Sequence, residues 1–295
     1  LVPELPDLTV YLEHIDQRLE GETLSGIRLS SPFLLRTVTP TVDEVCGHRL
    51  LGSRRLGKQI VLALTNDFFL VIHLMISGRL QWGAPGAAVP KGRGLAAFDF
   101  ESGCLIFTEA SKKKRASLKL VQGSENLAAL DPGGLEVLQI DEGAFAARIV
   151  DSNHTLKRAL TDQKVFAGIG NAYSDEILLR ARLSPFKRPV NLNDEEMGRL
   201  FAACVEVLEE WTARLREETG EKWPKKVTAF HEEMAVHGKF KEPCPVCGAP
   251  VQRIVYAENE ANYCARCQTE GRLLADRSLS RLLKDNWPKR LEDLE

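Results

Sequence analysis

Cys244-Pro-Val-Cys247 and Cys264-Ala-Arg-Cys267 are two C-x2-C pairs separated by sixteen residues. A C-x2-C pair sets two thiolates on one tight turn, and two such turns complete a tetrahedral S4 site for zinc. Gly248 after the first pair and the apolar positions Val251, Ile254 and Tyr256 suit a β-hairpin that carries the second pair. A redox role needs only one pair, and a disulfide framework belongs to a small secreted chain. All four ligand positions are thiolates, so no coordination position is left open for catalysis. One structural zinc ion, Zn2+, is expected here, with the chemistry elsewhere.

Around this stretch the chain is of ordinary composition: 295 residues, 44% hydrophobic and 27% charged, enough for about two domains. No run approaches the ~18 apolar residues of a membrane span, and no signal segment opens the chain. Cys46, Cys104 and Cys204 are scattered singly and read as buried hydrophobes, which fits a reducing cytoplasm. With a net charge of −2 there is no global basic footprint, so a nucleic-acid partner would need its positive charge gathered on one face. The densest candidate is Lys112-Lys113-Lys114-Arg115, followed by Lys119; alone, such a run reads as a solvated loop.

Upstream, residues 3–21 combine a Pro-rich start with Leu8, Tyr11, Leu12, Ile15 and Leu19 at helical spacing, and Gly21 is a C′ stop. From about 23 to 122 the signal changes to strands separated by turn residues such as Asn66-Asp67 and Ser102-Gly103, as in a meander or sandwich. Asp131-Pro-Gly-Gly134 marks a boundary, after which helical patterning dominates. Leu156–Leu160 forms a short helix, and Gly168-Ile-Gly170-Asn171 turns tightly into a second, giving a helix-turn-helix element. Asn193 with Glu196 caps a long helix whose stripe includes Met197, Leu200, Phe201, Cys204, Leu208, Trp211 and Leu215. After the cysteines, Leu273, Leu274, Leu279, Leu282 and Leu283 repeat a helical pattern.

Four pieces in this order resemble the Fpg/Nei (formamidopyrimidine-DNA glycosylase/endonuclease VIII) family of bifunctional DNA glycosylases. Pro3-Glu-Leu-Pro-Asp7 is similar to that family's start. Asp162-Gln-Lys-Val-Phe-Ala-Gly-Ile-Gly-Asn-Ala-Tyr-Ser-Asp-Glu176 is similar to its helix-two-turn-helix signature. His237-Gly-Lys-Phe-Lys-Glu-Pro-Cys244 resembles the lead-in to its zinc finger, and the four cysteines match its spacing. The resemblance, over about residues 3–270, implies an α+β fold. An N-terminal β-sandwich catalytic domain with a leading helix spans 1–135, and a helix-two-turn-helix DNA-binding domain spans 136–240. A zinc finger follows at 241–270 and a C-terminal extension at 271–295.

In that family a proline at the very N-terminus attacks C1′ of a flipped, damaged nucleotide. The base leaves, a Schiff base forms and elimination cleaves the strand. An α-amino group suits this because it titrates near neutrality. The resemblance therefore implies a DNA glycosylase with AP lyase activity, with Pro3 as nucleophile and Glu4 as the acid that protonates the sugar or leaving group. It implies that Lys58 contacts phosphate beside the lesion, and that Asn171 with Gly170 grips a backbone phosphate at a helix N-terminus. Without it, Glu4 reads as a helix-start carboxylate, Lys58 as a solvated strand residue and Asn171 as an N-cap. The implied setting is a monomer acting on damaged double-stranded DNA in a bacterial cytoplasm, associated with the nucleoid. The alternative reading is a non-catalytic binder of damaged or branched DNA on the same scaffold.

The sequence departs from the family pattern at five places. Leu1 and Val2 precede Pro3, and a proline nitrogen inside a peptide bond is a tertiary amide without nucleophilic character. The expectation is that Leu1-Val2 is a cloning remnant in place of an initiator Met. The family's wedge segment HLGMSG reads His73-Leu-Met75-Ile76-Ser-Gly78, so Ile76 takes the wedge position beside Met75, with strand core as the plain alternative. The later loop has Lys112, Lys113, Lys114 and Arg115 and no Arg-Phe pair, exchanging opposite-base readout for charge. Cleavage is accordingly expected at similar rates opposite all four bases, and a strong preference for one in a kinetic comparison would count against this. Asn259 stands where the finger's phosphate-gripping arginine belongs, beside Glu260; Arg253 and Arg266 are the candidates to compensate. The last departure is the tail beyond the finger, with packing on the finger as its expected use.

Overall fold

A computed structural model describes residues 2–225, 227–256, 259–275, 281–282 and 288–294, with Tyr256 and Asn259 described in their backbone alone. Leu1, Leu279, Leu283 and the Asn286-Trp287 pair of the tail lie outside the described residues. The chain forms two compact units, Leu1–Pro132 with Trp211–Ala229, and Gly133–Glu210 with Phe230–Glu295.

The first unit opens with α1 (Leu5–Leu19). Glu4 is its N-cap and Pro6 lies in its first turn, where a missing N–H costs nothing; the Glu4 N–H is donated to Asp7 Oδ2 at 2.9 Å. Leu8, Tyr11, Ile15 and Leu19 are fully buried, each stabilising by roughly 1.5–3 kcal/mol.

Two four-stranded antiparallel sheets follow. One is ordered β1 (Gly26–Leu29), β6 (Gly94–Asp99), β7 (Cys104–Glu109), β5 (Gly78–Gly83). The other runs β2 (Leu50–Leu56), β3 (Gln59–Leu64), β4 (Phe68–His73), β8 (Ser117–Gln122). A short helix, α2 (Val42–Val45), precedes β2. Thr65, Asn66 and Asp67 make the β3–β4 turn, with φ of 60° and 59° at Asn66 and Asp67, the left-handed region that these two residue types tolerate best. β4 reads as a continuous apolar run because both of its faces are covered. Leu70 and Ile72 join Phe98 and Phe107 of the facing sheet, while Phe69 and Val71 pack with Val61, Val121 and Leu127 of α3 (Ser124–Ala128).

The strand register positions two connections. His73, the end of β4, pairs with Ser117, the start of β8; Gly78, the start of β5, pairs with Glu109, the end of β7. The β4–β5 turn and the β7–β8 loop therefore cross between the sheets side by side at one end of the sandwich.

In the second unit, α4 (Glu142–Val150) is N-capped by Asp141, whose Oδ1 accepts the Ala144 N–H at 2.8 Å. The paired helices are α5 (Leu156–Thr161) and α6 (Asn171–Arg180). α7 (Asp194–Thr219) begins with the reciprocal box of Asn193 and Glu196, at 2.9 and 3.2 Å. From Trp211 onward, α7 and the segment after it belong to the first compact unit. The reason is specific packing: Val227 and Trp223 join the sandwich core, Trp223 Nε1 donates to the Leu80 carbonyl at 2.9 Å, and Arg216 pairs with Glu13 at 2.6 Å.

The finger is a hairpin of β9 (Val251–Tyr256) and β10 (Asn259–Cys264), followed by α8 (Ala265–Thr269). The described part of the tail packs on it. Leu273 N–H and Lys289 O bond at 2.8 Å, Leu291 N–H and Gly271 O at 2.9 Å, and Leu291 lies against both apolar clusters of the finger. Among the described residues no helix is long and apolar enough to cross a membrane.

Candidate nucleic-acid interface and metal centre

In the first unit Pro3 and Glu4 are both buried at the start of α1. Asp7, which fixes the Glu4 backbone, lies within electrostatic reach of Arg79, and Arg79 Nη1 donates to the carbonyls of Ile76 and Gly78 at 3.2 and 2.6 Å. The helix start and the Ile76 turn are thus joined through one guanidinium. Lys58 is half-buried in the β2–β3 turn, and its charge acts on His73.

Met75 and Ile76 are outside the strands. They lie in the turn from Leu74 to Ser77, where Ile76 is 50% exposed and Met75 has a φ of 52°. Gly78 is fixed by close approach, since a Cβ there would sit 2.2 Å from the Leu74 carbonyl oxygen. Lys112, Lys113, Lys114 and Arg115 are exposed on the neighbouring β7–β8 loop.

His73 holds the turn by accepting the Met75 N–H at Nδ1, 3.0 Å away. Burial, then the Lys58 and Lys119 cations, push its pKa down to about 4. Between its ordinary value of 6.5 and about 4, the unfolded chain binds a proton that the folded chain refuses. Stability from this group is therefore complete above 6.5 and falls by about 3 kcal/mol as the pH drops through that window. Urea unfolding of the wild type and of His73→Gln at neutral and acid pH measures it; equal acid losses in the two would refute it.

In the second unit Gly170 is the N-cap of α6, and Asn171 is its first helical residue, half-buried. Behind them is a polar cluster that the sequence did not announce. Lys157 Nζ donates to the Asn171 carbonyl at 2.5 Å and to Asp175 Oδ1 at 2.6 Å. Asp175 Oδ2 is 2.7 Å from His237 Nδ1 and accepts from Asn262 Nδ2 at 3.2 Å. Glu176 accepts the N–H groups of Ala235, Val236 and His237 at 2.8–3.0 Å. One turn of α6 thereby ties the helix pair to the finger and its lead-in.

The four cysteine sulfurs lie within 4.8 Å of one another. An ion about 2.3 Å from each sulfur needs them about 3.8 Å apart, so the cage fits tetrahedral zinc. The Cys267 N–H points to Cys264 Sγ at 3.5 Å and Gly248 closes the first knuckle on the Cys244 carbonyl at 2.8 Å. Arg266 Nη1 is committed to the Cys247 carbonyl at 3.2 Å. Arg253 instead lies over the Phe240 ring at 4.6 Å, with Lys241 Nζ 5.5 Å from the same ring and Glu260 3.8 Å away. Asn259 opens β10 opposite Tyr256; its side chain lies outside the described residues.

A helix pair with a glycine-capped N-terminus, tied to an S4 finger, marks the class: a zinc-containing DNA-binding protein. Three family models match, the formamidopyrimidine-DNA glycosylase N-terminal domain over 2–117, its H2TH domain over 133–219, and the zinc finger found in FPG and IleRS over 241–269. The formamidopyrimidine-DNA glycosylase of Chloroflexus aurantiacus is 32% identical over 283 residues, covering 90% of this chain and 98% of that one. An uncharacterized formamidopyrimidine-DNA glycosylase-like protein of Mycobacterium tuberculosis is 38% identical over 162 residues, 55% of this chain and 99% of that one. Lactococcus lactis FPG (MutM) in complex with Fapy-dG containing DNA superposes with a TM-score of 0.79 at 26% identity, covering 90% of this chain and all (100%) of that one. The chain belongs to the formamidopyrimidine-DNA glycosylase family, and its finger holds one structural zinc.

Proposed function

We propose that this protein removes a damaged base from double-stranded DNA and cuts the strand at the resulting abasic site, acting as a monomer. The observation that carries the proposal is a buried carboxylate, Glu4, at the N-cap of α1 directly after Pro3, with its backbone N–H held by Asp7. With Pro3 as a free secondary amine, the nitrogen forms a bond to C1′ as the bond from C1′ to the base breaks, and the proton that the nitrogen sheds is taken up by the departing base. Glu4 donates a proton to the ring oxygen as the bond from C1′ to that oxygen breaks, which opens the sugar and leaves an iminium ion joining Pro3 to C1′. Loss of a C2′ proton then expels the 3′ phosphate.

Lys58, the Lys112–Arg115 loop and the Gly170–Asn171 helix start supply phosphate contacts, and Ile76 with Met75 enters the gap left by the everted nucleotide. A duplex panel carrying Fapy-dG, 8-oxoguanine or an oxidised pyrimidine tests the reading, as base release followed by strand cleavage. Glu4→Gln should slow release by about 10²–10⁴-fold, the usual contribution of a positioned acid. Tight binding with no release from any lesion would replace the proposal by the non-catalytic binder.

On the finger, Arg253 takes the phosphate contact that Asn259 cannot make with charge. Stacking on Phe240 holds its guanidinium in place, so little side-chain entropy is lost on binding. Arg253→Ala is expected to weaken binding evenly across DNA sequences and to lower the slope of log affinity against log salt by about 1. An unchanged salt slope in a titration would assign that contact elsewhere.

A further inference from the structure

Glu109 ends β7 and is only 1% exposed, and its carboxylate faces the loop that follows. Its Oε1 accepts the Arg115 N–H at 3.0 Å and its Oε2 the Ala116 N–H at 3.3 Å. The Ser77 hydroxyl donates to Oε1 at 3.4 Å and accepts the Ser111 N–H at 3.2 Å. Lys114 Nζ donates to the Glu109 carbonyl at 2.5 Å, and the Ala110 N–H reaches the Ser77 carbonyl at 3.4 Å. Ser77 adjoins Ile76, and the register sets Glu109 opposite Gly78. The exposed apolar turn and the basic loop are therefore stitched into one element by two side chains.

A buried carboxylate is costly unless its oxygens are occupied, and here backbone N–H groups of the loop occupy them. The ordering entropy of residues 110–116 is consequently spent during folding and not on binding. We propose that Glu109 and Ser77 are positioning residues that hold the Ile76 turn and the Lys112–Arg115 loop as one preformed element, with Ile76 as the wedge fitted to the gap a duplex leaves when one nucleotide swings out and the loop set against the phosphates beside it. The proposal rests on the glycosylase reading and adds the element that makes it selective for duplex DNA. A single strand has no opposite base and no such gap, so the wedge has nothing to fill there.

The test compares borohydride trapping rates on duplex and on single-stranded abasic DNA, for a chain beginning at Pro3 and its Glu109→Gln and Ser77→Ala variants. Gln keeps the shape of Glu but turns one acceptor into a donor facing a backbone N–H. The duplex to single-strand ratio should fall about tenfold in Glu109→Gln and about threefold in Ser77→Ala, with single-strand rates within about twofold of wild type. Ser77→Ala leaves the carboxylate in place and keeps the test decisive if the Gln variant folds poorly. An unchanged ratio in the folded variants, or equal losses on both substrates, overturns the proposal. Failure of the wild type to be trapped on either substrate would refute the glycosylase reading instead.

Discussion

Borohydride is expected to trap a chain that begins at Pro3 on abasic-site DNA, and to trap nothing when Leu1-Val2 is retained. The difference is electronic. In a free proline the nitrogen is a secondary amine whose lone pair can attack C1′, and an α-amino group titrates near about 8, so part of it is unprotonated at neutral pH. In a Val2-Pro3 peptide bond the same lone pair is delocalised into the carbonyl, and the nitrogen has no proton to lose on forming an imine. The effect should be at least about a thousandfold, the scale seen when a covalent nucleophile is removed while binding survives. Hydride adds to the imine carbon and fixes the protein to C1′, so the readout is a mass increase on the N-terminal peptide. With the free terminus, trapping should rise with pH until the amine is fully deprotonated and then level off. Equal trapping by the two forms would place the nucleophile on another amine, and the N-terminal peptide would then be recovered unmodified.

How much of this was legible in the sequence depended on the range of the interaction. The S4 cage and the glycine turn into α6 were legible because spacing over a few residues determines them. The run Phe68–His73 was legible as a strand, but not the turn that follows it. Nothing in Met75 announces a φ of 52°, and the close approach that demands Gly78 is made by a carbonyl of the same turn. Glu109 in the sequence is one acid beside a run of lysines, and a salt bridge or a solvated loop would have been the natural reading. Its actual use depends on the pairing of β5 with β7, a long-range register that periodicity does not encode. The same holds for Trp211–Ala229: the stripe along α7 marks a buried face, yet which unit buries each part follows from Trp223 and Val227 packing on the sandwich. The cluster of Lys157, Asp175 and His237 was hidden for a related reason, since its three members come from separate segments of the second unit.

Removing zinc should cost the second unit its finger while leaving the sandwich folded. The segment from Lys241 to Thr269 is too short to bury a sufficient core of its own, and zinc binding in such modules supplies about 10–16 kcal/mol of apparent folding energy. Without the ion, four thiols lie within 4.8 Å of one another with no bond to hold them there. This finger has other supports: Gln268 Nε2 donates to the Leu183 carbonyl at 2.9 Å, Asn262 reaches Asp175, and Leu291 of the tail seals its apolar clusters. Those contacts are individually worth about 1 kcal/mol and cannot replace the metal, but they link its loss to the polar cluster behind Asn171. Chelation, or Cys267→Ser, is therefore expected to weaken DNA binding by at least about a hundredfold, because the finger and the seating of the α6 N-terminus fail together. Fluorescence of Trp223, packed on the sandwich near Tyr11 with ring centroids 5.7 Å apart, should stay unchanged over the same titration. Full DNA affinity in a preparation shown to be metal-free would mean that the helix pair and tail hold the finger without its ion.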